Sequence, residues 1–324
     1  MIKVAQDGSG DFRTITEALE ALQQQAPANE PEHTIFIAPG IYKERLEIKT
    51  PYVTLLGEDP QNTVITYDLC AKMPMEDGGK RGTFRSYSVF IDTHDFTAKN
   101  ITFENSAGLG SQVGQALALY VDGDRIVFDH CRMLGSQDTI FTGPLPPKEI
   151  EPNGFIGPKQ NAPRINGRHY YKDCLIRGDI DFIFGSATAY FENCEIYSQD
   201  IGRGINGYAT AASTPEGQEY GYVFQNCRFT SNCPDSTVYL GRPWRNFAKT
   251  VILNSWLGPH IRPEGWHNWN KTEAEATVLY GEYNNIGPGA DLSHRPDWIV
   301  RLTEADASRY TKEAVLSGSD HWNV

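Results

Sequence analysis

Two aspartates, Asp138 and Asp181, stand at the same offset in two copies of a short sequence motif. Asp138 follows Cys131 by seven residues, and Asp181 follows Cys174 by seven residues. If the two copies lie in neighbouring coils of one repeat, the carboxyl groups stack about 4.8 Å apart, the spacing of adjacent β-strands. Two carboxyl groups this close do not ionise together easily, so their pKa values separate. One can then act as an acid while the other acts as a base or nucleophile.

Amide and guanidinium groups elsewhere in the chain can serve the same site. Gln137 directly precedes Asp138, and both Gln137 and Gln115 can donate amide N–H groups to a developing oxyanion. Arg242 can keep one carboxylate ionised and fix its orientation, and Trp244, two residues later, offers a large aromatic surface. Structural roles are the alternatives: turn capping for the aspartates, a side-chain ladder for the glutamines, a salt bridge for the arginine and core packing for the tryptophan. The equal offset of the two aspartates favours catalysis.

The repeat that carries the aspartates has the form aromatic, polar, Asn/Asp/His, Cys, any residue, apolar. Its copies lie at Phe128–Met133, Tyr171–Ile176, Phe191–Ile196 and Phe224–Phe229, with looser copies at 98–103 and 252–257. The steps between copies run from 20 to 43 residues. Steps of roughly this size are typical of a solenoid in which each coil is one repeat and insertions lie on one face. The repeat therefore predicts a parallel β-helix.

The repeated cysteine is expected to point into the core of this β-helix. Cysteine is a small hydrophobic residue that suits a stack of inward-facing side chains. We therefore predict buried free thiols at Cys131, Cys174, Cys194 and Cys227. Disulfides between coils are the alternative, which we rank lower because the parallel ladders already hold the coils together. His130, in the third position of its copy, is expected to belong to the ladder of turns.

One helix is predicted near the start, within an otherwise all-β chain of short apolar runs closed by Gly, Asn, Asp and Pro. Thr14 and Glu17 have the spacing of a capping box, and Asp11 is an alternative cap. Apolar residues at helical spacing continue to about Gln25. From about Asp291, a similar spacing predicts a short helical tail that packs outside the β-helix or caps its last coil.

A single domain over residues 1–324 is expected, because no linker, charge run or low-complexity segment interrupts the chain. The tail at about 291–324 belongs to this domain. Residues 142–167, rich in Pro, Gly and Asn, form a long connection between two repeat copies. We expect this inserted loop to overhang the candidate cleft.

Composition and charge exclude several classes of function. The chain has 324 residues, with 41 acidic against 29 basic side chains and a net charge of −12, which does not suit a nucleic acid or an anionic membrane as partner. No stretch approaches the ~18 consecutive apolar residues of a membrane helix. Six cysteines are too sparse for a disulfide scaffold, and no Cys/His cluster has zinc spacing.

Several common catalytic motifs are absent, including G-x-S-x-G, H-E-x-x-H and the Walker A loop. The G-x-G-x-x-G at Gly202–Gly207 precedes no convincing helix, so we interpret it as a turn between coils rather than a nucleotide loop.

The first residues show neither the apolar run nor the cleavage site of a secretory signal. We expect a cytoplasmic protein if the chain is complete and a secreted one if a signal was removed.

Blocks along nearly the whole chain resemble the signature blocks of the pectin methylesterase (pectinesterase) family, carbohydrate esterases on a right-handed parallel β-helix. In chain order the matching blocks are Val4–Phe12, Gly82–Ser86, Asn100–Asn105, Gly114–Leu119, Gly135–Phe141, Asp179–Gly185, Leu240–Trp244, Pro263–Trp266, Tyr280–Tyr283 and Gly287–Ala290. One such block alone would be a weak signal. Their presence together, in this order, is highly specific. The resemblance implies a single-stranded right-handed parallel β-helix with a short N-terminal capping helix.

The same resemblance implies the role of each catalytic residue. Asp181 would be the nucleophile that attacks the ester carbonyl of a methylated galacturonate. Asp138 would be the general acid that protonates the departing methanol and then the base that activates water. Gln137 would stabilise the oxyanion, with Gln115 beside it in contact with substrate. Arg242 would pair with Asp181 and contact substrate.

The resemblance also implies the substrate contacts and partners. Trp244, Trp266 and Phe184 would stack on sugar rings or line the cleft, and Thr83 would hydrogen-bond the substrate. The substrate would be methyl-esterified pectin or oligogalacturonates. No metal and no organic cofactor is needed in this family, and we expect a monomer without nucleic-acid or membrane partners.

Two features depart from the usual pattern of the family. The connection at 142–167 is longer than usual and could favour short or differently decorated substrates, and Tyr87-Ser88 stands where Ala-Thr is usual.

The alternatives to a pectin methylesterase are an esterase with the same residues acting on another acyl substrate, and a non-catalytic galacturonan-binding β-helix. A pectin lyase would need grouped calcium-ligand carboxylates with a basic residue, and a polygalacturonase would use carboxylates without the glutamine pair and arginine. Neither pattern is present.

Overall fold

Each coil of the chain contributes one strand to each of three parallel sheets. A computed structural model describes residues 1–25, 33–76 and 78–324. Over most of the fold, strands that are neighbours within a sheet are three apart along the chain. The chain therefore winds round one axis, and the single-stranded right-handed parallel β-helix expected from the sequence is confirmed.

The three sheets contain eleven, seven and eight strands within the described residues. The long sheet consists of Ile2–Val4, His33–Ile37, Val53–Gly57, His94–Lys99, Asp124–Asp129, Arg168–Lys172, Thr188–Glu192, Tyr222–Gln225, Lys249–Leu253, Leu279–Tyr283 and Val300–Arg301. The second sheet is called the site sheet below. It consists of Leu46–Ile48, Val89–Ile91, Leu119–Val121, Ile140–Thr142, Ile180–Gly185, Gly207–Ala212 and Val238–Gly241. The third sheet consists of Gly40–Lys43, Thr63–Tyr67, Thr102–Asn105, Arg132–Leu134, Leu175–Gly178, Glu195–Ser198, Arg228–Ser231 and Trp256–Leu257.

The bend between the long sheet and the third sheet explains the Asn/Asp/His position of the repeat. One residue at each bend has a positive φ near 50°, a left-handed conformation that Asn, Asp and His adopt more readily than most residues. These residues are Asn100, His130, Asp173, Asn193, Asn226, Asn254 and Asn284. His130 thus lies in the ladder of turns, as predicted.

Stacked side chains of the repeat fill the inside of the coils. Phe128, Tyr171, Phe191 and Phe224 form one continuous stack, with successive ring centroids 5.0, 4.6 and 4.4 Å apart. The cysteine three residues after each ring is 2% exposed or less. All six cysteines of the chain are free thiols. The predicted ladder of buried, unpaired cysteines is therefore confirmed.

Burial of the thiols predicts their reactivity. A folded sample treated with a thiol reagent should show at most one reactive group, Cys233, because the other five cysteines are buried and a buried thiol is both inaccessible and hard to ionise. After denaturation without reductant, six thiols should react. A titration that finds four or fewer in the unreduced, denatured protein would instead indicate a disulfide.

Helices occupy the two ends of the chain and a few connections. The first helix is Ile15–Gln25, and its capping box is formed, since the Glu17 amide donates to Thr14 Oγ1 at 3.2 Å and the Thr14 amide to Glu17 Oε2 at 3.1 Å. The others are short: α-helices Gly110–Val113, Glu304–Ala307 and Lys312–Leu316, and 3₁₀ helices Thr83–Arg85, Thr272–Ala276, Pro288–Ala290 and Ser308–Tyr310. No helix in the described ranges is both long and apolar enough to cross a membrane.

The C-terminal tail packs on the outside of the long sheet. Val315 and Leu316 are buried in a cluster with Tyr170 and Tyr190, whose side chains face outward from that sheet. The Arg168 side chain donates to the carbonyl oxygen of Leu316 at 3.1 Å. The tail therefore lies against the side of the β-helix.

Candidate active site

The two aspartates lie at equivalent positions of neighbouring coils. In the site sheet, Ile140 pairs with Ile183, so Asp138 and Asp181, each two residues earlier, occupy the same level of adjacent coils. The amide of Asp138 donates to the carbonyl oxygen of Ile180 at 3.0 Å. Both aspartates have left-handed backbone angles, with φ of 62° and 52°. Such conformations in non-glycine residues concentrate at functional sites. The equal offset of the two aspartates from their cysteines thus corresponds to stacking of the two residues in adjacent coils.

Arg242 holds Asp181 through two parallel hydrogen bonds. Its Nε donates to Asp181 Oδ1 at 2.8 Å and its Nη2 donates to Oδ2 at 2.6 Å. The guanidinium is itself clamped between two rings, with Cζ 3.8 Å from the centre of Tyr208 and 3.6 Å from that of Trp269. Burial raises the pKa of Asp181, and the bonds and charge of Arg242 oppose that rise. The bidentate pair fixes the direction in which the carboxylate points.

Asp138 differs from Asp181 in having no cation in contact. It is 8% exposed and forms no ion pair with any described residue. Burial, and then the nearby charge of Asp181, raise the pKa of Asp138 well above its ordinary value. Of the two carboxyl groups, Asp138 is therefore the one whose pKa is raised further, which suits the acid of the pair.

A cleft of about 520 Å³ opens over this pair. Eight of the nine residues predicted for catalysis or substrate binding line it: Thr83, Gln115, Gln137, Asp138, Asp181, Phe184, Arg242 and Trp244. These residues come from loops and strand ends of successive coils, so the stacking of the coils brings them together. The size is that of an ordinary ligand pocket.

The amides of Gln115 and Gln137 are free to bind a ligand. Neither side chain has a hydrogen-bond partner among the residues that the structure describes, although both are only partly exposed. Backbone bonds hold the two segments in place, since the Ala116 amide donates to the carbonyl oxygen of Gln137 at 3.1 Å. Two free donors beside a pair of stacked carboxyl groups make a suitable oxyanion site.

Replacing the amide of Gln137 should slow the reaction without unfolding the protein. For Gln137→Ala we expect the kcat for ester hydrolysis to fall about 10²- to 10³-fold, the usual effect of removing one oxyanion donor, with little change in KM. Gln112→Ala, an exposed glutamine outside the cleft lining, is the matched control. Equal kcat values for the two variants would exclude Gln137 as the oxyanion donor.

The prediction that Trp266 contacts substrate is wrong. Trp266 is 2% exposed and does not line the cleft. Its ring stacks on Tyr280 with a centroid distance of 4.3 Å, and its Nε1 donates to Glu282 at 2.9 Å. Glu282 in turn pairs with Arg295, at 2.7 Å, where both side chains are 1% exposed. Trp266 is thus a core residue that closes the β-helix near its C-terminal end.

Part of the long connection forms one wall of the cleft. Residues Ile150, Glu151, Gly154 and Phe155 contribute to the lining. The Phe155 ring is 6% exposed and packs edge-on against Phe84 and Trp244, at 5.8 and 6.1 Å. This part of the connection therefore forms a packed wall of the cleft.

Several residues of the site were missed at the sequence level. Tyr208 and Trp269 clamp Arg242, and Arg245 and Lys271 line the cleft beside them. Arg245 could have been recognised from the sequence, since it directly follows the block Leu240–Trp244. The segment that carries Trp269 and Lys271 is an irregular loop, so no periodic pattern marks it.

The cleft of this parallel β-helix contains stacked aspartates, a paired arginine and free amides, which are groups suited to a carboxylic ester hydrolase, the class of enzyme to which the chain belongs. The family model described as Pectinesterase matches residues 1–144 and 164–319, and the chain belongs to that family. The match leaves out residues 145–163, the part of the long connection that forms the wall of the cleft.

Relatives and solved structures agree with this assignment. Pectinesterase 31 of Arabidopsis thaliana is 36% identical over 98% of this chain and 92% of its own length. Probable pectinesterase/pectinesterase inhibitor 23 of Arabidopsis thaliana, 36% identical over 98% of this chain, is longer, and the chain spans about half of its length. A pectin methylesterase crystallised with a hexasaccharide matches with a TM-score of 0.79 and 29% identity, over 99% of this chain and 97% of that one. Pectin methylesterase from carrot matches with a TM-score of 0.79 and 30% identity, over 98% and 93% of the two chains.

Proposed function

We propose that this chain hydrolyses the methyl esters of galacturonan, releasing methanol and leaving free galacturonate units. The observation that carries the proposal is the bidentate Asp181–Arg242 pair with the buried Asp138 stacked beside it in a cleft with free amide donors. Solved relatives include a pectin methylesterase in complex with a hexasaccharide. Membership of the family supports the same substrate class.

The first half of the reaction forms an acyl-enzyme. A carboxylate oxygen of Asp181 attacks the ester carbonyl carbon, and the carbonyl oxygen becomes an oxyanion that the amides of Gln137 and Gln115 bind. The bond to the methoxy group breaks, and the departing oxygen takes the proton of Asp138. Methanol leaves, and an anhydride joins Asp181 to the galacturonate.

The second half restores the enzyme. Asp138, now a carboxylate, accepts a proton from a water molecule, whose oxygen attacks the galacturonyl carbonyl carbon. The anhydride breaks, free galacturonate leaves and Asp181 is again ionised beside Arg242. Asp138 is again protonated. The galacturonic acid formed releases one proton to the solvent, so the reaction balances with water as the only second substrate.

Methanol release from highly methylated pectin and from methylated oligogalacturonates tests the proposal. We expect methanol in equal amount to the new carboxyl groups, with no change in chain length. Chain cleavage would instead indicate a lyase or glycosidase. Binding of galacturonan without methanol would indicate a non-catalytic β-helix, and hydrolysis of other esters alone would indicate a different acyl substrate.

A further inference from the structure

Trp269 covers the guanidinium of Arg242 from a strained position in an irregular loop. The centre of its ring lies 3.6 Å from Arg242 Cζ. The backbone φ is 56° at Trp269 and 57° at Asn270, a left-handed conformation that is unfavourable for residues other than glycine. Residues 267–271 belong to no strand or helix. A side chain outside the regular ladders must therefore hold Trp269 in place.

His267 holds Trp269 through a ring nitrogen. The backbone N–H of Trp269 donates to His267 Nδ1 at 2.9 Å. Because Nδ1 accepts this bond, it carries no hydrogen, so the imidazole is neutral and its hydrogen lies on Nε2. The backbone amide of His267 donates to the carbonyl oxygen of Gly241, the residue before Arg242, at 3.0 Å. His267 thus joins the segment that carries Trp269 to the segment that carries Arg242.

The same imidazole packs against the second ring that contacts Arg242. His267 lies edge-on to Tyr208 and Tyr239, with ring centroids 5.7 and 5.1 Å apart, and the two tyrosine rings stack on each other at 5.4 Å. The ring centre of Tyr208 is 3.8 Å from Arg242 Cζ. His267 therefore contacts both rings that clamp the guanidinium: Trp269 through a hydrogen bond and Tyr208 through ring packing.

The charges around His267 keep its ring neutral. Arg242 and Arg262 are the charged groups that act on it, and both are positive. Burial, and then these two charges, lower the pKa of His267 below its ordinary value of 6.5. The imidazole forms no ion pair with any described carboxylate, and the phenols of Tyr208 and Tyr239 carry no charge in acid. His267 therefore gains its second hydrogen only in acidic solution.

We propose that His267 is a positioning residue whose neutral imidazole holds Trp269 on Arg242 and whose protonation in acid releases Trp269. His267 does not line the cleft, so it acts through the loop and not on the substrate. The inference rests on the proposed function only for its effect on the reaction rate, because the hydrogen bond and the ring contacts belong to the free protein.

Protonation acts on the clamp in two ways. A protonated imidazole carries hydrogens on both nitrogens, so Nδ1 can no longer accept the bond from the Trp269 amide. The new positive charge is also repelled by Arg242, one of the two charges that act on the ring. Both effects weaken the contact between Trp269 and the guanidinium. The orientation of the Asp181 carboxylate, which Arg242 fixes by its two hydrogen bonds, then becomes less well defined.

NMR of the whole protein with isotope-labelled histidine and tryptophan tests the hydrogen bond without any substrate. The histidine signal that His267→Asn removes should belong to a neutral ring with a bare Nδ1 at neutral pH, and it should titrate below 6.5. The indole N–H signal that Trp269→Phe removes should shift with the same midpoint. A hydrogen on Nδ1 at neutral pH, or an indole signal that does not follow the titration of His267, would overturn the proposal.

Two substitutions separate the acceptor from the bulk of the ring. His267→Phe keeps an aromatic ring but has no acceptor, and it should lower kcat for methanol release about 3- to 30-fold, the range of one cation–π contact, with little change in KM. His267→Asn offers an oxygen acceptor, as Asn268 does for the Asn270 amide at 2.9 Å, and should recover most of the lost rate. His321→Asn, an exposed histidine of the tail, is the matched control.

Either of two kinetic results would contradict the positioning role. An unchanged kcat in His267→Phe would show that the acceptor is not needed. A loss of rate that His267→Asn does not recover, or that lies in KM alone, would show that the substitution disturbs the loop rather than the Arg242 clamp.

The pH dependence of kcat separates His267 from the catalytic carboxyl groups. Dividing the kcat of the wild type by that of His267→Asn cancels the titration of Asp138 and Asp181, which the two proteins share. The quotient should fall as the pH is lowered, because only the wild type forms the imidazolium, and its midpoint should match the one found by NMR for His267. A quotient that stays constant through that midpoint would overturn the proposed effect of protonation.

The two kinds of measurement keep this inference apart from the proposed function. If methanol is released but the Trp269 signal is independent of His267, the positioning role is wrong and the esterase stands. If the Trp269 signal follows His267 but no form of the protein releases methanol, the hydrogen bond and its release in acid are supported and the proposed function is wrong.

Discussion

Asp181→Asn is expected to lower the rate of methanol release by at least about 10⁴-fold, an effect comparable with the loss of a catalytic nucleophile or its partners in other hydrolases. Asparagine has nearly the same shape but lacks the negative oxygen that attacks the ester. Arg242 would also lose its ion-pair partner, which now accepts its two bonds at 2.8 and 2.6 Å. Initial-rate assays on methylated oligogalacturonates, with the melting temperature recorded for each variant, measure the effect.

Asp179→Asn is the matched control for this variant. Asp179 lies two residues earlier in the same segment, is 1% exposed and stays outside the cleft lining. Its Oδ1 accepts a hydrogen bond from the Ile180 amide at 2.6 Å, which an asparagine oxygen can also accept. We expect near wild-type methanol release from it. Similar losses in both variants would show that the segment is merely sensitive to substitution.

Asp138→Asn is expected to lower kcat by about 10²- to 10⁴-fold, the usual contribution of a general acid and base. The amide can neither protonate the departing methanol nor activate water. Because Arg242 and Asp181 are untouched, substrate affinity should change little. A variant that retains more than about a tenth of the wild-type kcat would exclude Asp138 from both proton transfers.

The same pair of carboxyl groups predicts the pH profile. Activity needs an ionised Asp181 and a protonated Asp138, so the rate should rise with pH as the pair loses its first proton and fall as it loses the second. Burial raises both pKa values, and the charge of Asp181 raises that of Asp138 further. Asp138→Asn should lose the alkaline limb in its residual activity. An alkaline limb that persists unchanged belongs to another group.

Stability should change in the opposite direction to activity in Asp138→Asn. A carboxyl group whose pKa is higher in the folded than in the unfolded protein favours folding at low pH and opposes it once the unfolded chain ionises, near pH 4. At neutral pH the wild type bears this cost and the asparagine variant does not. The melting temperature of the variant should therefore equal or exceed that of the wild type.

The stacked part of the site was predictable because a β-helix repeats its geometry. An equal distance from Cys131 and Cys174 placed Asp138 and Asp181 at one level of adjacent coils, and the register of the site sheet agrees. The same repeat predicted the buried thiols. In each case one local conformation recurs, so spacing along the chain translates directly into position in space.

Residues outside the repeat were not predictable in this way. Trp266 belongs to an isolated bridge with Gly241, and nothing local shows that its ring turns inward onto Tyr280 rather than towards the cleft. Three residues later, Trp269 does reach the site and covers Arg242. The path of an irregular loop depends on tertiary contacts that no periodic pattern encodes, which is why this loop yielded one wrong assignment and two omissions.

The most direct test of the account is the covalent bond to Asp181. The wild type would be mixed with methylated trigalacturonate, quenched with acid during turnover and mapped by mass spectrometry. We predict a galacturonyl adduct on the peptide that contains Asp181, absent from Asp181→Asn and from samples without substrate. An adduct on another residue, or methanol release by Asp181→Asn at a rate close to that of the wild type, would contradict the assignment of Asp181 as the nucleophile.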